Sequence, residues 1–414
     1  MPKNNLQFDI VLFGATSFVG RLVAQTLCDL MTDNSPCLPT SFRCALVARD
    51  IQRLKTFASS LNAPDDSMAL IAADAQDFDQ LHELCLRAKV IISTVGPYAL
   101  YGEKLVRACV DTGTDYCDLT GEVQWIKKMI ARYDQQAQTS GARIVHCCGF
   151  DSLPSDLSVF RLQTLAQESF GTNCSTIKLG VKRLRGGFSG GTIASMINVA
   201  KEAIADKNLR RELADPYSLC PPQHGFHVHQ AGNQTRFDAD FNSWVAPFVM
   251  AAINTRVVHR SNALLNYRYG KDFRYSEVML MGSKGRWKSY ALSIGLSLFT
   301  LLIAFALSRW LLQRLVLPRP GTGPSVETQR QGYFEMILLG ITNNNQRLKL
   351  SVRGEGDPGY SATARMLVQA GLCLATDLEA DTPGGFYTPT ALLGNRLLSR
   401  LTTYAKLNFT PIND

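Results

Sequence analysis

The chain has 414 residues, of which 46% are hydrophobic and 19% charged. That balance excludes a wholly disordered chain, and the length suits two domains with a sizeable core. The net charge of +8 is spread without a long Lys/Arg run, which disfavours nucleic acid as a partner.

Phe8 to Phe13 is a short apolar run, predicted as the first strand. Gly14, Ala15, Thr16, Ser17, Phe18, Val19 and Gly20 follow, and Arg21 to Leu30 reads as a helix. A buried strand feeding a glycine turn that opens a helix is where a dinucleotide pyrophosphate can rest. Gly14 permits the tight turn and Gly20 lets the helix pack close to the strand. Ser17 stands where the usual fingerprint has its second glycine. A plain packing turn is the competing reading.

Cys44 to Ala48 is the second strand, and Arg49 closes it. An acidic residue at this strand end would suit the ribose of NAD, whereas an Arg suits the 2′-phosphate of NADP. Arg49, helped by Arg53, therefore favours NADP over NAD, against the alternative of a solvated Arg at a helix entrance. Met68 to Ala72 is the third strand. Asp74 follows it and joins the candidate cofactor-binding residues. Phe78 to Arg87 is helical. The fourth strand, Val90 to Val95, contains Thr94 and ends in Gly96-Pro97-Tyr98, the expected nicotinamide side of the pocket. Tyr101 to Thr112 is a helix, Thr114 to Leu119 the fifth strand, Trp125 to Ser140 a helix, and Arg143 to His146 the sixth strand. Strict alternation predicts a Rossmann-type, doubly wound parallel sheet over residues 1–152.

Past Gly149 the alternation fails. Leu153 to Gln167 reads as a helix and Thr176 to Leu184 as a strand. Gly186 to Gly191 is a glycine-rich segment, either a functional loop or a flexible turn, and Thr192 to Asp206 is an amphipathic helix. His224, His227 and His229 lie in a polar stretch, but no Cys or carboxylate stands at matching spacing, so no metal is assigned. The 11 cysteines include no C-x-x-C pair, which suits reduced thiols in a cytosolic protein, and no secretory signal precedes the first strand.

Tyr290 to Leu307 runs 18 residues without a charge, and Trp310-Leu311-Leu312 extends it. Lys284, Arg286 and Lys288 flank one end, and Arg309, Arg314 and Arg319 the other. The length is marginal for a membrane span. Basic flanks at both ends, with Trp287 and Trp310 near the borders, fit a helix lying at the cytoplasmic face of a membrane. A helix buried in the protein or in a homodimer interface is the competing reading. Beyond it, Tyr333 to Thr342 and Leu348 to Gly354 are strands. Ser361 to Ala375 is a helix, Gly384-Gly385 a turn, and Thr388-Pro389 opens a last helix to Leu401.

Several stretches together resemble the saccharopine dehydrogenase-like oxidoreductases. They are Gly14 to Gly20, Thr94 to Tyr98, Thr114 to Glu122 and Gly149 to Asp156. Gly186 to Ser195, Pro320 to Pro324 and Asp357 to Tyr360 resemble one branch, the trans-acting enoyl reductases of mycobacterial lipid assembly. The resemblance implies an NADPH-dependent reductase acting on a lipid or polyketide acyl chain, on a carrier protein or synthase. It also implies an α+β substrate and dimerisation domain over 153–356, and a C-terminal segment, 357–414, returning to the first domain.

Reduction of an enoyl group needs a donor to polarise the carbonyl and a proton for the α-carbon. Tyr98 and Tyr101 flank the nicotinamide loop, and Asp118, Glu122 and Asp151 follow later strand ends. Tyr98, Tyr101, Asp118 and Asp151 are the catalytic candidates, each with a packing or capping alternative. Two other functions stay open. One is a dehydrogenase of amino-acid conjugates, for which Lys182, Arg183 and Arg185 would bind carboxylates. The other is a non-catalytic lipid-surface protein that keeps NADP binding.

Overall fold

A computed structural model describes residues 6–64, 67–186, 190–232, 234–305 and 323–412. In chain order the elements are β1 (Phe8–Phe13), α1 (Phe18–Thr32), β2 (Cys44–Ala48), α2 (Ile51–Ala58), β3 (Met68–Ala72), α3 (Phe78–Leu86), β4 (Ala88–Ser93), α4 (Tyr98–Tyr101), α5 (Glu103–Thr112), β5 (Asp115–Asp118), α6 (Val123–Ser140) and β6 (Arg143–Val145). They continue with α7 (Leu153–Phe170), β7 (Cys174–Arg185), α8 (Gly190–Ala205), α9 (Lys207–Ala214), β8 (Arg236–Asp238), β9 (Ser243–Pro247), α10 (Ala251–Leu264), β10 (Arg274–Leu280), α11 (Arg286–Ala304) and α12 (Val326–Arg330). The last are β11 (Tyr333–Thr342), β12 (Arg347–Glu355), α13 (Thr363–Thr376), β13 (Gly385–Tyr387), α14 (Pro389–Tyr404) and β14 (Leu407–Ile412).

The chain forms two units. The first takes Met1–Phe150, Gly321–Gly323 and Tyr360–Ala405; the second takes Asp151–Pro320, Pro324–Gly359 and Lys406–Asp414. The first holds a seven-stranded sheet in the order β13-β6-β5-β4-β1-β2-β3, parallel throughout. Ile10 to Phe13 of β1, all of β2, and Val90 to Ile92 of β4 are buried, and these runs are apolar on both faces. Helix α13 packs on α1, β1, β4 and β5. Gly371 makes that approach close, since a Cβ there would stand 2.5 Å from Ile92 Cδ1.

The second unit holds a mixed seven-stranded sheet, β14-β12-β11-β7-β10-β9-β8, with only β7 and β10 parallel. Helix α7 packs on β7, β11 and β12, and α10 packs on α7 and β10. Three expectations change here. The segment after 357 does not all join the first unit, because β14 pairs along the outer edge of β12 and satisfies its backbone groups. The turn at Gly384-Gly385 leads straight into β13, which extends the first sheet beside β6. The glycine-rich segment is not all loop, since Gly190 and Gly191 lie in α8, while residues 187–189 fall outside the described residues.

Tyr290 to Ala304 of the uncharged stretch lie in α11, which packs on β9 and α8 and buries Ser289 and Ile303. Its other side exposes Trp287, Tyr290, Ile294, Leu298 and Leu301, with Phe305 just beyond. Arg309, Trp310 to Leu312, Arg314 and Arg319 lie outside the described residues. Among the described residues no helix is long and apolar enough to cross a membrane.

Candidate active site

β1 and β4 are neighbours at the centre of the first sheet, and the strand order runs outward from them in opposite directions. Such a reversal opens the crevice where parallel α/β sheets bind their ligands. Phe13 pairs with Ser93, so the two strands end side by side. The turn after β1 therefore meets the residues after β4.

Helix α1 begins at Phe18, three residues earlier than the sequence pattern indicates, because Ser17 is its N-cap. The Gly20 N–H donates to Ser17 Oγ at 2.9 Å, and Ser17 Oγ lies 3.0 Å from Thr94 Oγ1. Thr94 Oγ1 donates in turn to the Gly14 carbonyl at 3.0 Å. With the Ser17 proton directed to Thr94, every hydroxyl in this chain donates once and accepts once. Gly14 has a φ of +93°, and a Cβ there would lie 2.6 Å from Val95 Cγ2. A Cβ on Gly20 would overlap the Gly14 carbonyl oxygen. Thr16, Ser17, Phe18 and Val19 are half-buried around the turn. The N–H groups of Phe18 and Val19, in the first turn of α1, have no intrahelical acceptor by position. A glycine cradle at the positive end of a helix fits a dinucleotide pyrophosphate.

Arg49 is exposed after β2 and makes no ion pair among the described residues. The adjacent Asp50 is occupied as the N-cap of α2, its carboxylate accepting from the Arg53 N–H at 3.0 Å. Asp74 holds its own turn, accepting from Gln76 N–H at 2.8 Å. Gly96 is exposed, while Pro97 is half-buried as the N-cap of α4.

The catalytic candidates separate. Tyr98 is a core residue: its hydroxyl donates to the Ser93 carbonyl at 3.0 Å, and its ring packs on Trp125 at 5.4 Å. Burial, and then the nearby Asp118 carboxylate, push its pKa well up. Asp118 is fully buried. Its Oδ2 lies 2.8 Å from His146 Nδ1 and accepts from Tyr116 Oη at 3.0 Å, and its Oδ1 accepts from the Thr120 and Cys147 N–H groups at 3.1 and 3.3 Å. Both side chains thus hold the strand ends in place and leave no free group for a substrate. Glu122 is also structural, its two carboxylate oxygens accepting from Tyr98 N–H at 2.8 Å and Ala99 N–H at 2.9 Å. Tyr101 is 42% exposed at the end of α4.

Asp151 opens the second unit; it is half-buried, and lost hydration pushes its carboxyl up to about 6. The sequence reading passed over His146. Its only signal there is position, one residue past the end of β6, where the parallel register sets it opposite Asp118.

In the second unit, His224 is half-buried beside Tyr217 and its Nδ1 accepts from the Phe226 N–H at 2.9 Å. His227 and His229 are exposed. Lys182 pairs with Glu335 at 2.9 Å, Arg183 lies 3.9 Å from the same carboxylate, and Arg185 donates to Gln331 at 2.7 Å, so this basic group is engaged in its own sheet.

Residues 10–145 match the saccharopine dehydrogenase NADP binding domain family. Over 97% of both chains, the sequence is 41% identical to a Mycobacterium tuberculosis (strain ATCC 25618 / H37Rv) protein classed by name among the trans-acting enoyl reductases. It is 36% identical, again over 97% of both chains, to the trans-acting enoyl reductase of Mycobacterium leprae (strain TN). The fold is similar to that of the saccharopine dehydrogenase (L-Glu forming) of Saccharomyces cerevisiae. That match has a TM-score of 0.52 and 10% identity, and covers 98% of this chain and 99% of that one.

Proposed function

We propose a mechanism from one premise: the chain belongs to the trans-acting enoyl reductases of the saccharopine dehydrogenase-like family. It is an NADPH-dependent oxidoreductase that reduces a carbon–carbon double bond next to a carbonyl. Bound NADPH supplies the hydride for the β-carbon. The turn from Gly14 to Gly20 holds the pyrophosphate: a side chain at 14 or 20 would collide with Val95 or with the Gly14 carbonyl and break the turn, and the first turn of α1 presents its N–H groups there. That cradle is the observation that carries the reading. Arg49 holds the 2′-phosphate, with Asp50 kept away from it by its capping bond.

The α-carbon needs a proton as the double bond becomes a single one. Asp151, whose carboxyl burial pushes up to about 6, is the source of that proton in this reading. The exposed phenol of Tyr101 polarises the carbonyl. The substrate is an acyl chain of lipid or polyketide type, delivered by a carrier or synthase, in lipid or glycolipid biosynthesis. The apolar face of α11 rests on a membrane surface, with Lys284, Arg286 and Lys288 beside it for anionic headgroups.

The test is NADPH oxidation with a panel of enoyl thioesters. Turnover of the wild-type chain, with Asp151→Asn and Tyr101→Phe losing at least about tenfold in kcat while still binding NADPH, is the expected result. NADPH binding without turnover on any thioester would favour a non-catalytic protein. Full activity in both variants would remove these two residues from the reaction.

A further inference from the structure

Within the first unit, Gly323 lies against the nucleotide turn. A Cβ built on it would stand 2.5 and 2.6 Å from Cε1 and Cε2 of Phe18. Phe18 is also packed against a fixed neighbour. Tyr360 meets its ring edge-on, with centroids 4.8 Å apart and planes at 71°, and Tyr360 is itself buried. The Phe18 ring therefore touches both the bare backbone of residue 323 and a core tyrosine. Phe18 is also the first residue of α1, immediately after the Ser17 cap. Its N–H is one of those left without an intrahelical acceptor.

We propose that Gly323 is a positioning residue for NADPH, which by lacking a side chain lets Phe18 keep the first turn of α1 in its phosphate-binding position. This rests on the reading of residues 14–20 as the cofactor turn. A methyl group at 323 has no way to fit while Phe18 stays where it is. The ring would have to swing off residue 323, or the first turn of α1 would have to tilt and take its N–H groups with it. Each movement weakens an anion site made of fixed backbone donors. The effect belongs to cofactor affinity, because residue 323 itself carries no group that could touch substrate.

The experiment is titration of the full-length chain with NADPH, followed by cofactor fluorescence, alongside thermal unfolding. The variants are Gly14→Val, Gly323→Ala, Phe18→Ala and the double variant Phe18→Ala/Gly323→Ala. Gly323→Ala should bind NADPH about tenfold more weakly than the parent. With the ring removed the methyl has space, so the double variant should match Phe18→Ala within about twofold, a rescue that a general loss of stability would not produce. If Gly323→Ala does not fold, the comparison of Phe18→Ala with the double variant still decides. Parent-like affinity in Gly323→Ala overturns the proposal, as does a double variant about tenfold weaker than Phe18→Ala. Gly14→Val separates the two readings. Unchanged affinity there defeats the cofactor turn itself, whereas lost affinity there with parent-like Gly323→Ala defeats only the role of Gly323.

Discussion

Ser17 Oγ and Thr94 Oγ1 lie 3.0 Å apart, and through this contact the cap of α1 is joined to the residue that follows β4. A glycine at 17, usual in the fingerprint, could supply neither the cap nor the bridge. The serine thus replaces backbone freedom with a hydroxyl chain running from Gly20 through Thr94 to Gly14.

Ser17→Ala should destabilise the chain by about 1 kcal/mol, the usual worth of an N-cap, and Ser17→Gly by less than half of that. Chemical denaturation of the three proteins checks the order. If Ser17→Ala proves as stable as the parent, the hydroxyl chain has no energetic role.

Arg49→Asp should reverse the cofactor preference. The parent should bind NADPH more tightly than NADH, and the variant should lose at least about tenfold for NADPH, the scale of one charge-assisted contact to phosphate. Parallel titrations with both cofactors report it. Equal affinities in the parent would show that the exposed guanidinium does not meet the 2′-phosphate.

His259 should make the second unit sensitive to acid. It is wholly buried, neither ring nitrogen has a hydrogen-bond partner among the described residues, and Tyr217, Phe226 and Phe273 surround it with His224 nearby. Burial pulls its pKa down to about 3, with the neighbouring His224 adding to the effect. An unfolded histidine titrates near ~6.5, so below that pH the unfolded chain takes up a proton that the folded chain refuses. Stability is complete above ~6.5 and falls as the pH drops toward 3, by up to ~1.4 kcal/mol per pH unit. His259→Phe should flatten the slope between pH 7 and pH 5 in chemical denaturation; an unaltered slope would assign acid sensitivity elsewhere.

The exposed side of α11 should bring the protein to lipid without crossing it. Trp287 is 81% exposed and offers an internal probe. Its emission should shift to the blue with anionic vesicles more than with neutral ones, since each nearby Lys or Arg adds ~1 kcal/mol at an anionic surface. Replacing Ile294, Leu298 and Leu301 with Glu should remove the shift and leave NADPH binding intact. No vesicle binding by the parent would make this face a protein contact. Unequal protease protection of the chain on the two sides of α11, in sealed vesicles, would mean that it spans.

The first sheet could be read from the sequence because its strands are buried on both faces. Ile10 to Phe13, Cys44 to Ala48 and Val90 to Ile92 are simple apolar runs. The second unit hid itself for the opposite reason. β10 carries Glu277 in its buried half, satisfied by Tyr275 at 2.5 Å and Asn254 at 2.8 Å, so its alternation looks broken. Helix α10 buries Arg256, His259, Arg260 and Asn262, and in sequence it resembles a polar surface segment. β8 and β13, at three residues each, are too short for any period to register. At the site, Gly14 and Gly20 were legible because backbone geometry demands them. Whether Tyr98 was free or engaged depended on Ser93 and Glu122, whose proximity only the folded sheet creates.

β13 and β14 both come from residues beyond 384, and each occupies the outer position of a different sheet. During synthesis, β6 and β12 must therefore wait with their outer hydrogen-bonding edges bare until residues 385–412 have followed them. An uncovered strand edge is a template for pairing with other molecules. A premature stop near residue 380 would leave two such templates on one nascent polypeptide, so residues 385–412 work as a twofold safeguard against self-association. Loss of that stretch should be seen first in the yield of soluble protein, ahead of any measurement of hydride transfer.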